Sequence, residues 1–251
     1  MAVLHHTSLT PSKAELLTAW LPTQPWFVGD SPEIERAGGF RLDDPADDVG
    51  IEFFIARDES GGGSADKPGV DSGTGDDPVI YLAPMTYRAT ELPGPPAALP
   101  GAATPLLGAA AALIGTTEHG VLGHRFVYDA PSDPVFVSEF VALLAGRAIP
   151  QSQRESDTVD PTVVVERADG VELELHGSAA DAAQGDSGIP VTIRRPDGSE
   201  RRGIAHILRV LEPNGSPALP EGVVARVTAV WATDDGTDVR GTVAIVREVV
   251  A

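Results

Sequence analysis

Alternating apolar runs broken by Asp-Gly turns constrain this 251-residue chain more than any other feature. Runs 162–167 and 171–176 flank Ala168-Asp169-Gly170, and run 191–195 leads into Pro196-Asp197-Gly198. Runs 203–211, 223–233 and 238–249 follow, the last two on either side of Asp234-Asp235-Gly236. Asp-Gly takes the positive-φ backbone that tight hairpin turns need, and alternation buries one face of a strand. The pattern predicts a mainly-β antiparallel meander or small barrel over 158–251, with 181–188 as a loop.

The first part of the chain reads differently. Residues 3–8 suit a short strand, and Thr10 with Pro11 can open a helix in which Leu16, Leu17, Trp20 and Leu21 share one face until Pro22 ends it. Segments 38–42 and 49–57 suit two strands of a hairpin, the second half-buried, with Ile51, Phe53 and Ile55 alternating against Glu52, Phe54 and Ala56. A Gly/Ser/Asp stretch over 58–77 reads as a long loop, 79–87 as a strand interrupted at Pro84, and 119–129 as a further strand. Asp133-Pro134 opens a second helix with Phe136, Phe140, Leu143 and Leu144 as its stripe. The expected fold is α+β: an antiparallel sheet with two helices over 1–150, a polar, proline-containing boundary at 149–160, then the smaller β domain.

Composition narrows the function classes. There is no cysteine, so disulfides, thiolate metal sites and cysteine nucleophiles are out. The 37 acidic against 18 basic residues give a net charge of −19, a field that opposes nucleic acid and anionic membrane surfaces. No run is long and apolar enough for a membrane span, and the N-terminus lacks the charged and apolar regions of a signal peptide, so a cytoplasmic location is expected.

The candidate chemistry is sparse. Glu118, His119, His124 and Asp129 are ligand and acid/base types close in sequence, and on a regular strand they spread over both faces unless a turn at Gly120 or Gly123 gathers them. A hairpin turn with satisfied histidines is the plainer reading. Arg194, Arg195, Arg201 and Arg202 straddle the Asp197-Gly198 turn as the one basic patch, either a solvated hairpin tip or a contact for an acidic partner or phosphorylated metabolite. His5-His6 would point to opposite faces of a strand, and Gly61-Gly62-Gly63-Ser64 lacks the helix and Lys-Ser/Thr pair of a phosphate cradle. No metal site and no cofactor are expected. Trp20, Gln24, Trp26 and Phe27 form the densest aromatic cluster in a chain that is 5% aromatic, either a buried clamp or a sugar-stacking platform.

Trp20-Leu21-Pro22-x-Gln24-x-Trp26-Phe27 resembles the N-terminal cap of actinobacterial maltokinases, and Phe126-Val127-Tyr128-Asp129-Ala130 with helix 133–146 resembles the segment closing that cap. Gly38-Gly39-Phe40-Arg41-Leu42, Met85-Thr86-Tyr87-Arg88 and the stretch from Gly115 to Gly123 are similar to stand-alone actinobacterial cap-like proteins without a kinase domain. The resemblance covers about 1–150 and implies a small α+β unit with an antiparallel sheet curved around a helix. It carries no kinase chemistry: Lys13 lies on the first helix, Lys67 in the Gly/Ser/Asp stretch, and after residue 150 there is neither a His-x-Asp catalytic loop nor an Asp-Phe-Gly-like triplet.

These observations favour a non-catalytic accessory or interaction protein tied to trehalose, maltose or glycogen metabolism, acting on a protein partner such as a carbohydrate-active enzyme or on a second copy. The alternatives are a module binding a carbohydrate or sugar phosphate near the arginine turn, and a metal-assisted hydrolase using Glu118, His119 and His124.

Overall fold

The computed structural model describes residues 8–29, 31–61, 77–93, 112–155, 157–183, 188–213 and 218–249. In chain order these form β1 (Leu9–Thr10), α1 (Lys13–Trp20), β2 (Ile34–Leu42), β3 (Gly50–Asp58), β4 (Val79–Arg88), β5 (Leu113–His119), β6 (Gly123–Asp129) and α2 (Pro134–Leu144). Then come β7 (Gln151–Ser152), β8 (Val164–Arg167), β9 (Glu172–Leu175), α3 (Ala179–Ala182), β10 (Ile189–Arg194), β11 (Glu200–Ile207), β12 (Val210–Leu211), β13 (Val223–Ala232) and β14 (Asp238–Glu248).

Among the described residues the fourteen strands make one antiparallel sheet, ordered β1-β5-β6-β4-β3-β2-β13-β14-β11-β10-β9. The fold is mostly β with few helices, and the sheet is open, ending at β1 and β9. Among the described residues three strands have an edge divided between two neighbours: β2, which pairs with β13 at Gly38 and with β7 at Phe40 and Arg41, and β13 and β4. β13 pairs with β8 over Ala225–Thr228 and with β2 at Trp231 opposite Gly38. β4 pairs with β12 at Ile80 and Tyr81 and with β6 from Met85 to Arg88, which leaves Ala83-Pro84 between the two partners. Pro84 has no N–H to offer a ladder, so it sits where a ladder lapses.

The expected strand 203–211 is split, for a physical reason. β11 runs beside β14, the Leu208 N–H donates to Val243 O at 3.0 Å, and the chain then crosses to β4, where the Leu82 N–H donates to Arg209 O at 2.9 Å. Pro213 returns to Gly241. The crossing thus links β4 to β14 through one short segment, 208–213.

Other local expectations need adjusting. Ser12, not Thr10, caps α1: its hydroxyl accepts from the Glu15 N–H at 3.3 Å while Glu15 reaches back to the Ser12 N–H at 2.8 Å, a capping box. The expected strand 119–129 narrows to 123–129, the second arm of a hairpin whose first arm is 113–119 and whose turn lies at 120–122. Ala168-Asp169-Gly170 does not join paired strands, because β8 pairs with β13 and β9 with β10. Part of the expected loop 181–188 belongs to the helical turn α3. Asp197-Gly198 and Asp235-Gly236 do close hairpins, β10–β11 and β13–β14. Residues 3–7 and 62–76 lie outside the described residues.

Two apolar cores lie on the sheet. The larger gathers Phe40, Phe53 and Ile55, the α2 stripe, and Val191, Val227, Trp231, Val243 and Val246. The smaller packs Leu16, Leu17, Trp20, Leu21 and Phe27 onto Phe54, Ala56, Tyr81, Ala83 and Met85. β3 is therefore covered on both faces, with every residue from Ile51 to Ala56 buried, instead of half-buried: α1 lies on the side the alternation assigned to solvent. Ladder and larger core both run across 149–160, through β7 on β2, β13 on β2 and β12 on β4.

Asp133 caps α2 by accepting from the Val135 N–H at 2.9 Å, and Pro134 occupies the first turn. The helix ends at Gly146, whose φ of 74° lets the Arg147 N–H return to Ala142 O at 2.8 Å. Arg167 donates to Leu144 O at 3.2 Å, placing a cation on the negative end of the helix. No helix among the described residues is long and apolar enough to cross a membrane.

The joint between β2 and β13 depends on close packing at Gly241. A Cβ there would lie 2.2 Å from Trp231 Cη2 and 2.4 Å from Glu212 O. Gly241→Ala is predicted to lower stability by about 1–3 kcal/mol through overpacking, read as a shift of the urea midpoint at unchanged m-value; a shift below 0.5 kcal/mol would contradict this packing.

Candidate functional site

The aromatic cluster forms because α1 runs straight into a 3-10 turn, Leu21–Thr23, held by Thr23 Oγ1 donating to Trp20 O at 2.6 Å. That turn folds Trp26 back onto Trp20, with ring centroids 5.7 Å apart at 65°. Tyr81 of β4 joins from below, 6.0 Å from Trp26 and 5.6 Å from Phe27. Its hydroxyl accepts from the Val28 N–H at 3.1 Å and donates to Val28 O at 2.5 Å, and burial pushes its pKa up to about 12. Trp20 and Phe27 are buried, each 6% exposed, whereas Trp26 and Gln24 are half-buried, with Gln24 Nε2 donating to Thr23 Oγ1.

The feature that sequence reading missed is what covers Trp26. Arg209, in the crossing between β11 and β12, places its guanidinium carbon 5.3 Å from the Trp26 ring centre. It reaches past Pro84 to Asp129 at the end of β6, with Nη2 donating to Oδ2 at 2.6 Å. Asp129 Oδ1 and Arg209 Nη1 are each buried without a hydrogen-bond partner. Nothing in the sequence pairs Arg209 with Asp129; the proline in β4 is the only trace of the gap they span.

The other sequence candidates are dispersed. Glu118 and His124 face each other across the β5–β6 hairpin at 2.7 Å, both exposed, while His119 Nδ1 accepts from the Val121 and Leu122 N–H groups and shapes the turn. Asp129, at the far end of β6, is not part of that group. No three His, Asp or Glu among the described residues are arranged to hold a metal ion. On the β10–β11 hairpin the arginines are already engaged. Arg194 meets Glu172, Glu174 and Glu200; Arg195 and Arg201 meet Glu248; Arg202 donates to His176 Nε2 at 3.0 Å. The two hairpins lie toward opposite ends of the strand order. A shallow depression of ≈ 340 Å³ lined by Val165 and residues 167–172 brings none of these groups together. His5, His6 and residues 62–64 lie outside the described residues.

Two further polar clusters hold the halves of the sheet. Glu52, 5% exposed, accepts from Lys13 Nζ at 2.7 Å, Gln153 Nε2 at 2.8 Å and the Tyr87 hydroxyl at 2.9 Å, so it ties α1, β3, β4 and the chain after 150 together. Burial, with the Glu52 charge beside it, holds the Tyr87 phenol well above its usual range. Arg88 grips the buried Asp133 with two bonds of 2.6 Å, so the cap of α2 is anchored to β4. Nearby Asp44 accepts from the N–H groups of Ala46, Asp48 and Val49, each at 3.0 Å.

Burial, then the Asp44 charge, raises the Glu139 carboxyl above its ordinary value. Such a group favours the fold when neutral: its contribution is complete below the ordinary carboxylate range and is lost as pH rises through the raised folded value. Glu139→Gln is therefore expected to raise the melting temperature at pH 7, with the difference vanishing near pH 4; calorimetry at both pH values checks it, and an equal gain at both would refute the linkage. Trp20→Ala should cost about 3–5 kcal/mol and open the smaller core, visible as lost near-ultraviolet dichroism. Unchanged stability would return Trp20 to the role of an exposed platform.

Residues 20–133 match the family model of the maltokinase N-terminal cap domain. No curated protein matches the chain. The match starts at Trp20 of the aromatic cluster and ends at Asp133, the capping residue of α2. The matched segment, strands β2 to β6 between the last residue of α1 and the residue that caps α2, is maltokinase N-terminal cap-like.

Proposed function

We propose that this protein is a non-catalytic accessory or interaction protein linked to maltose, trehalose or glycogen metabolism, its cap docking on a carbohydrate-active enzyme or on a second copy of the chain. The observation that carries the reading is how the cap is completed. Edges of cap strands β2 and β4 are taken by β13 and β12, from the same chain beyond the matched segment. A cap finished by its own chain does not need a kinase lobe to fold, which leaves its outer faces for a partner. The acid excess, −19, favours a neutral or cationic docking face and disfavours nucleic acid or anionic lipid.

A small-ligand module is the second reading. It no longer draws on the arginine hairpin, where carboxylates hold Arg194, Arg195 and Arg201. A metal-assisted hydrolase draws only on the Glu118–His124 pair, which stands exposed on a hairpin tip.

The accessory reading is tested by mass photometry of the purified protein together with affinity capture from its host against an acidic control protein of similar size. The expected result is a defined dimer or selective enrichment of a carbohydrate-active enzyme. A strict monomer at all accessible concentrations with no selective enrichment would overturn it.

A further inference from the structure

The half of the sheet beyond the cap is covered by helices on one side only. Among the described residues α2 and α3 pack on the larger core and α1 on the smaller one, so no helix lies on the outer side of β13, β14 and β11. Strand register fixes what that side carries. Arg240 stands opposite Val230, and Arg247 opposite Ile204, while Val227, Trp231, Ala244 and Val246 turn the other way into the larger core. Ile245 shares the outer side with Arg247, and Arg202, two residues before Ile204 on β11, faces the same way. Val230, Ile204 and Ile245 are half-buried and belong to neither core. The three arginines are exposed, and among the described residues none of them has an ion pair. Arg240 donates to Thr162 O at 2.7 Å and to Thr228 Oγ1 at 2.9 Å, and Arg202 to His176 Nε2 at 3.0 Å. These acceptors carry no negative charge, so the guanidinium charges stay uncancelled. The carboxylates on this side are engaged elsewhere: Glu166 with Arg226, and Glu172, Glu174 and Glu200 with Arg194.

We propose that this side of the sheet docks an acidic protein partner, whose carboxylates meet Arg202, Arg240 and Arg247 and whose apolar side chains cover Val230, Ile204 and Ile245. Charge complementarity names the occupant. The chain's −19 acts at long range, but at physiological ionic strength charges are screened beyond about 8 Å, so a contact at this face responds to its own arginines. Arginine suits the role, because its fork pairs with a carboxylate through two parallel bonds. A second copy docked about a two-fold axis would set arginine on arginine. Single-stranded nucleic acid needs aromatic platforms on which bases stack, and among the described residues the outer side of β13, β14 and β11 presents no Phe, Tyr or Trp, since Trp231 faces the larger core. The face lies outside the matched segment, so this inference stands apart from the docking of the cap and holds whether or not that docking occurs.

The test is fluorescence anisotropy of the full chain with labelled poly-L-glutamate as the probe, at physiological salt, with oligothymidylate and phosphatidylglycerol vesicles as comparison arms. Saturable binding of polyglutamate is expected, tighter than that of either comparison. Arg240→Gln and Arg247→Gln should each weaken it threefold or more, whereas Arg125→Gln on β6, the same change of charge on the cap, should leave it unchanged. No saturable binding of polyglutamate, tighter binding of either comparison, or an equal loss in Arg125→Gln overturns the proposal. Should the variants fail to fold, isoleucine-methyl NMR of the wild type with polyglutamate decides. Shifted signals from Ile204 and Ile245 support the face; unchanged signals there overturn it.

Discussion

The architecture depends on how closely β2 can approach β13, and the indole of Trp231 sets that distance. The two strands share one register position, Trp231 opposite Gly38. A Cβ on Gly38 would already lie 3.0 Å from Val230 O and 3.1 Å from Trp231 Cβ, and one on Gly241 would enter the indole itself. Two glycines, on strands flanking β13, thus make room for one buried aromatic that touches both sides of the chain. Its Nε1 is buried without a hydrogen-bond partner, a cost of about 1–3 kcal/mol that the burial of so large a ring has to offset. With so little backbone pairing between β2 and β13, apolar packing holds the junction and the ladder records its position.

This explains which parts of the fold were legible in sequence. Hairpins β10–β11 and β13–β14 declare themselves because an Asp-Gly turn is a local instruction. Helix α2 declares itself through Asp133, Pro134 and a regular apolar stripe. The joint has no such signal. Trp231 sits in an ordinary alternating run, Gly38 and Gly241 look like common strand glycines, and their partnership is a property of chain segments nearly two hundred residues apart. The same holds for β3, whose Glu52, Phe54 and Ala56 read as a solvent face until α1 covers them and Lys13 arrives to pair with Glu52. Ala168-Asp169-Gly170 shows the converse failure. A good turn dipeptide predicts the reversal but not which neighbours the two flanking strands will take.

Charge makes a second constraint that runs through the whole molecule. With 18 basic residues against 37 acidic, each cation is scarce, and many are spent joining elements instead of facing solvent. Lys13 binds α1 to β3, Arg88 binds β4 to the cap of α2, Arg209 binds the β11–β12 crossing to β6, and Arg226 binds β13 to Glu166 of β8. Arg194, Arg195 and Arg201 are held in the same manner on the β10–β11 hairpin. A cluster of arginines in such a chain is therefore poor evidence for an anion site, because the surrounding carboxylates claim it first. The exposed pairs on the β10–β11 hairpin add little to stability singly; their effect is to occupy those arginines with carboxylates of the same chain.

Among the described residues the Asp129–Arg209 pair differs from the richer clusters in leaving a buried atom of each partner unmatched. Glu52 and Asp133 take several donors each and have the signature of structural anchors. Asp129 and Arg209 face each other across a place where the ladder lapses and leave one acceptor and one donor unmatched beside an aromatic ring. Sequence could supply Asp129 and Trp26 as candidates, since both lie in the stretches that resemble the cap. It could not supply Arg209, which comes from outside the matched segment and meets Asp129 where β12 and β6 divide the β4 edge around Pro84. A cap completed by its own chain thereby acquires a composite surface that neither half of the sequence specifies alone.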